Sequence, residues 1–123
     1  MEISTLIVDD QPDVRLLIRM IIELANEGLM VGGEAATGSE ALDRIEGDDP
    51  VVVVLDQMMP DMNGLETAAH IRSRRPKQII VLCSAYLDDD LVEEARAVGV
   101  EWCVGKEEVR RLPDVIRAAV RAG

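Results

Sequence analysis

Hydrophobic positions follow two rhythms along this chain. Unbroken apolar runs occur in "TLIV" (5–8), "VVVVL" (51–55) and "QIIVLCSA" (78–85), with weaker ones in "LMVGGEA" (29–35) and "VEWCV" (100–104). Runs this short, without polar alternation, predict strands buried on both faces, as in a parallel sheet. The two glycines of 29–35 weaken that strand and predict an edge position. Between the runs, apolar residues recur at steps of three and four: Val14, Leu17, Ile18, Ile21 and Ile22, then Ala41, Leu42 and Ile45. Leu91, Val92, Ala95 and Val98 repeat the spacing, as do Leu112, Val115, Ile116, Ala119 and Val120. Each set predicts a helix with one buried face. Pro12 suits a first helical turn, Pro76 stops a helix over 64–76, and Gly99 caps a helix over 88–99 that opens on three acids. Pro113 marks the start of, or a bend in, the last helix.

Strand and helix therefore alternate five times, with no repeat or linker. That order predicts an α/β fold: a doubly wound five-stranded parallel sheet with five helices on its two faces. At 123 residues the chain is expected to form a single domain. With no Phe, one Tyr and one Trp, its core must be aliphatic.

Charge narrows the partners. Thirteen basic against 24 acidic residues leave a net −11, which argues against nucleic acid or an anionic membrane and for a basic partner or a bound cation. No apolar run approaches a membrane span and no signal-peptide pattern opens the chain, so a cytoplasmic location is expected. Cys83 and Cys103 form no CxxC and His70 is the only histidine, a pattern expected of buried thiols in a reducing compartment.

The carboxyl ends of parallel strands share one edge, where such sheets bind ligands. Here those ends carry Asp9 and Asp10, Asp56, Ser84 and Lys106. Three carboxylates gathered there would repel one another unless a cation sat among them, and an all-oxygen donor set favours Mg²⁺. A carboxylate can also act as a nucleophile, forming an aspartyl phosphate. Phosphoryl transfer then needs positioning and charge neutralisation, roles that Asp56, a metal held by Asp9 and Asp10, Lys106 and Ser84 can fill. Taken singly, each has a plain alternative: Asp10 or Gln11 as a helix N-cap, Lys106 as a solvated lysine. Their joint placement at four strand ends is what carries the reading.

The motifs "LIVDDQ", "VVVVLDQMMPDMNGLE", "IIVLCSA" and "GVEWCVGK", in this order and spacing, resemble the receiver domains of two-component response regulators, over nearly the whole chain from Leu6 to about Val120. The resemblance implies a flavodoxin-like sheet of order 2-1-3-4-5. It makes Asp56 the phosphoacceptor, Asp9 and Asp10 the acidic pair for Mg²⁺, the Met58 carbonyl a further metal ligand, Ser84 the switch hydroxyl and Lys106 the family lysine. Met58, Ala85 and Tyr86 would flank the phosphoryl group and tune its lifetime, although simple loop packing also accounts for Met58. The implied partners are a histidine kinase or phosphotransfer protein and a downstream protein or output domain outside this chain, met at the face of helix four, strand five and helix five. A second copy bound on phosphorylation is a further implied partner. "GEAATGSEAL" and "GKEEVRRLPDVIRAAV" look closest to receivers that precede a helix-turn-helix output domain.

The chain departs from the family pattern in two places. The family's switch aromatic falls three residues before the lysine, where this chain has Cys103; the aromatic is Trp102, and neighbouring strand residues face opposite sides. The residue after the lysine is Glu107 rather than Pro, which leaves the isomer of that bond open. Two rival readings follow. A pseudo-receiver would bind proteins without taking phosphate. A phosphohydrolase of the haloacid-dehalogenase kind would need an acid two residues past its nucleophile, where Met58 stands.

Overall fold

The computed structural model describes residues 2–123. Five parallel strands, β1 (Ile3–Val8), β2 (Leu29–Ala35), β3 (Val52–Asp56), β4 (Ile79–Ser84) and β5 (Trp102–Gly105), form one sheet of order β2-β1-β3-β4-β5. Five helices alternate with them: α1 (Pro12–Ala25), α2 (Gly38–Asp48), α3 (Gly64–Arg74), α4 (Asp89–Ala97) and α5 (Leu112–Ala122), the last preceded by a 3-10 turn over Lys106–Arg111. The strand–helix alternation predicts such a doubly wound parallel sheet, and the order is the flavodoxin-like one that the receiver resemblance implies, with the glycine-broken β2 at an edge.

Side chains alternate across the strands and fill two cores. Leu6, Val8, Val53, Leu55, Ile80 and Leu82 face α2, α3 and α4, where Leu42, Ile45, Ile71 and Ala95 close over them. Ile7, Val52, Val54, Val81 and Cys83 face α1 and α5 and meet Ile18, Ile22, Leu112 and Ile116. Val52 to Leu55 are all 1% exposed or less, so the apolar run preceding Asp56 is a central strand walled on both sides. Burying such side chains contributes about 1.5–3 kcal/mol each, which makes β3 a rigid mount for whatever stands at its end.

The structure shifts two local expectations and decides two points the sequence left open. On α1, Ile18 and Ile22 are buried and Val14 and Ile21 pack against the core, but Leu17 is 48% exposed because it lies at the margin of the face that meets the sheet. β5 begins at Trp102 rather than 100, since Gly99 has φ +87° and the Val100 N–H still donates to the Ala95 carbonyl, so the chain is still leaving α4 there. α5 starts at Leu112, with Pro113 in its first turn and hence no interior bend. The bond between Lys106 and Glu107 is trans, as are all those among the described residues.

Candidate functional site

Strand register brings the polar strand ends together. Val8 pairs with Leu55, Asp56 with Cys83, and Ser84 with Gly105, so Asp9, Asp56, Ser84 and Lys106 follow one another across the carboxyl edge. Asp9 and Asp56 are 1% and 3% exposed, while Asp10 stands in solvent. One oxygen of each of the three carboxylates lies within 4.8 Å of the others. The Lys106 Nζ bridges the buried pair, 2.9 Å from Asp9 Oδ2 and 3.1 Å from Asp56 Oδ1.

The charges do not balance. Lys106 supplies one positive charge to two buried carboxylates and a third beside them. Burial and the charge of Asp9 hold the Asp56 carboxyl above the usual aspartate range, against the opposing hydrogen bond and charge of Lys106 and the Met58 N–H. Burial alone would lower the Lys106 pKa, but its hydrogen bonds to Asp9 and Asp56 and their charges outweigh that and raise it. Asp9 Oδ2 and Asp56 Oδ1 face the ammonium and have no hydrogen-bond partner besides it. Two under-satisfied buried oxygens plus a solvent-facing third carboxylate fit a hard divalent cation that keeps part of its water shell.

The other site residues sit on the surrounding loops. The Ser84 hydroxyl is buried and accepts the Tyr86 N–H at 3.2 Å. Met58 and Tyr86 are 65% and 81% exposed, and Ala85 is also exposed. Cys103 pairs with Leu82 and packs toward the α4 core, while Trp102 pairs with Val81 and packs toward the α5 core. The ladder between β4 and β5 has no register shift, so Trp102 and Cys103 point to opposite faces of the sheet. Cys83 lies on the α5 side with its thiol pushed up to about 12 by burial, on the face opposite Cys103. The two free thiols are separated by the sheet.

Sequence reasoning passed over the residues that hold these loops. Asn63 and Glu66 form a reciprocal cap on α3, a pattern visible in "NGLE". The Gln57 side chain accepts the Leu65 N–H at 3.0 Å, tying the Asp56 loop to α3. Asp61 reaches α2, where it accepts the Gly38 and Ser39 N–H groups at 3.1 and 3.0 Å and the Ser39 hydroxyl at 2.9 Å. Arg15 and Glu34 flank Asp9 from α1 and β2. No local signal marks the last three, because their partners lie on other elements.

A doubly wound α/β domain with an acid trio and a lysine at its switch point defines a narrow class. The family model for the response regulator receiver domain matches residues 5–117. The chain belongs to that family. It is 36% identical over 96 residues to the chemotaxis protein CheY of Thermotoga maritima, covering 78% of each chain. It is 43% identical over 89 residues to a protein-glutamate methylesterase/protein-glutamine glutaminase of Hahella chejuensis, covering 72% of this chain but 25% of that protein. The match thus spans only a quarter of that longer relative. A two-component response regulator of the LuxR family from Aurantimonas superposes with a TM-score of 0.94 at 28% identity, covering 99% of this chain and 87% of that one.

Proposed function

We propose that this receiver is a phosphorylation-controlled switch that accepts a phosphoryl group from the phosphohistidine of a kinase or phosphotransfer protein onto Asp56. The observation that carries the reading is the Lys106 bridge between Asp9 and Asp56 beside the solvent-facing Asp10. A carboxylate oxygen of Asp56 attacks phosphorus, a P–O bond forms, and the P–N bond to the donor imidazole breaks. Lys106 transfers its contact from the carboxylate to a phosphoryl oxygen, since the charge it neutralises has moved there. The Ser84 hydroxyl, which now accepts from its own loop, can rotate to donate to another phosphoryl oxygen. Mg²⁺, held by Asp9, Asp10, Asp56 and the Met58 carbonyl, would neutralise the charge that develops on the phosphoryl oxygens. Met58, Ala85 and Tyr86 would border the phosphoryl group and govern the access of water.

The phosphorylated state would favour a second arrangement of α4, β5 and α5, read by a downstream protein, an output domain or a second copy. Cys103 packs on the α4 side and Trp102 on the α5 side, which supports a switch in which movement of the Ser84 loop, rather than an inward-turning aromatic, carries the signal. The 123 residues would make up one receiver domain, acting in the cytoplasm. Among the described residues no helix is long and apolar enough to cross a membrane.

Intact mass after incubation with acetyl phosphate tests the reading. One phosphoryl adduct is expected on the wild type with Mg²⁺, and none without Mg²⁺ or in Asp56→Asn. An adduct that persists in Asp56→Asn would assign the chemistry elsewhere. A folded wild type that takes no adduct from acetyl phosphate or from phosphohistidine donors would favour the pseudo-receiver.

A further inference from the structure

Asp10 is the exposed member of the acid trio, so no buried wall holds its carboxylate in place. Its backbone lies between the peptide that joins it to Asp9 and Gln11, whose N–H donates to Asp9 Oδ1 at 2.9 Å. Asp9 is tethered on one side to the edge strand β2 and on the other to α1. The Asp9 N–H donates to the Ala35 carbonyl at 3.0 Å. The Asp9 carbonyl, the oxygen of the Asp9–Asp10 peptide itself, accepts from Arg15 Nη1 at 2.7 Å.

Arg15 is held in turn. Its Nε donates to Glu34 Oε1 at 3.0 Å, and the other Glu34 oxygen takes Arg19 Nε at 2.7 Å. The Arg15 side chain is 19% exposed and that of Glu34 30%. An ion pair alone would use only the Glu34 contact. Here the planar guanidinium divides its N–H groups between a carboxylate on β2 and a main-chain carbonyl beside the acid pair, a geometry that lysine cannot reproduce.

We infer that Arg15, seated by Glu34, is a positioning residue that orients the Asp9–Asp10 peptide and so presents the Asp10 carboxylate to the cation. The inference rests on the cation reading of the acid trio given above. Arg15 does not touch the cation or the phosphoryl group; it acts through the peptide. Outer partners of this kind govern metal affinity by fixing the direction of a ligand. The arrangement also gives the edge strand a function, since Ala35 of β2 takes the Asp9 N–H and Glu34 of β2 braces the arginine that takes its carbonyl.

Isothermal titration calorimetry with MgCl₂, on wild type, Arg15→Lys, Glu34→Gln and the double variant, tests this, with melting temperatures measured in EDTA. The Mg²⁺ dissociation constant is expected to rise about tenfold in Arg15→Lys and by a smaller factor in Glu34→Gln. The double variant should bind no more weakly than Arg15→Lys, because Glu34 acts through Arg15. Melting temperatures in EDTA should fall only slightly, as for a partly exposed ion pair. Unchanged Mg²⁺ affinity in both single variants, with lowered melting temperatures, would reduce the pair to an ordinary structural ion pair and overturn the inference. A wild type that binds no Mg²⁺ would instead overturn the cation reading, and this inference with it. Should Arg15→Lys fail to fold, Glu34→Gln, which keeps the shape of the side chain, decides between these outcomes alone.

Discussion

The Cα of Gly64 faces the main-chain carbonyl oxygen of Asp56 with no room for a β-carbon between them. The same glycine donates its N–H to the Gln57 carbonyl at 2.9 Å, so the start of α3 is laid directly against the end of β3. A methyl group there must displace the backbone of Asp56 or the helix. Gly64→Ala is expected to cost about 1–3 kcal/mol, the usual range for overpacking, and to slow labelling of Asp56 by acetyl phosphate. Urea denaturation gives the first and intact mass the second; an unchanged denaturation midpoint would show that the loop yields freely.

Asp56 and Lys106 make opposite contributions to stability in the absence of metal. The Asp56 pKa is raised in the folded state, so its ionisation works against folding: the penalty is absent below the unfolded value near 3.8 and complete above the raised value. Asp56→Asn should therefore melt at a higher temperature than wild type at pH 7 in EDTA, and the difference should shrink toward pH 4. Lys106→Met removes the one countercharge of two buried carboxylates and is expected to cost about 2 kcal/mol, below the range for a fully buried pair because the lysine is partly exposed. In the double variant the two effects should not add, since one of the orphaned charges is gone. Thermal melts of the four proteins check all three statements.

Asp61 supplies a stability signal at acid pH. Its carboxylate is drawn down to about 2, chiefly by the Ser39 N–H and hydroxyl, with Met62 and Gly38 N–H groups adding to them. A depressed folded value means that the contribution is complete above the ordinary 3.8 and is lost as the pH falls toward 2. Asp61→Asn should lower the urea midpoint at pH 6, and its deficit relative to wild type should narrow between pH 4 and 2. A deficit that stays constant with pH would remove the charge from the account and leave hydrogen bonding alone. The loop between β3 and α3 should loosen as well, since Asp61 is its tie to α2.

Much of this architecture was legible in the order of residues. The apolar run from Val51 to Leu55 reads as a strand walled on both faces, and five strand–helix alternations leave few topologies open. The acid pair, Asp56, Ser84 and Lys106 could be assigned to one edge because parallel strands end together. The cap formed by Asn63 and Glu66, three residues apart, was readable in principle but was passed over. The exposure of Leu17 was not readable, because helical spacing identifies a face but not how far the neighbouring elements extend over it.

Local periodicity determined the elements, since each depends on contacts within a few residues, whereas the strand order was implied by the family motifs and is fixed by pairings between residues far apart in the chain. Which face Trp102 and Cys103 would occupy followed from the alternation of side chains along β5 once its register was known. The partners of Asp61, 22 residues away, and of Arg15, 19 residues away, were decided only by tertiary structure. Hydrogen bonds between elements depend on how helices seat on the sheet, and that seating is set by the packing of both cores at once. The gathering of five polar residues at one sheet edge could therefore be read from the strand ends, while the means of holding those residues in place became visible only when the chain was folded.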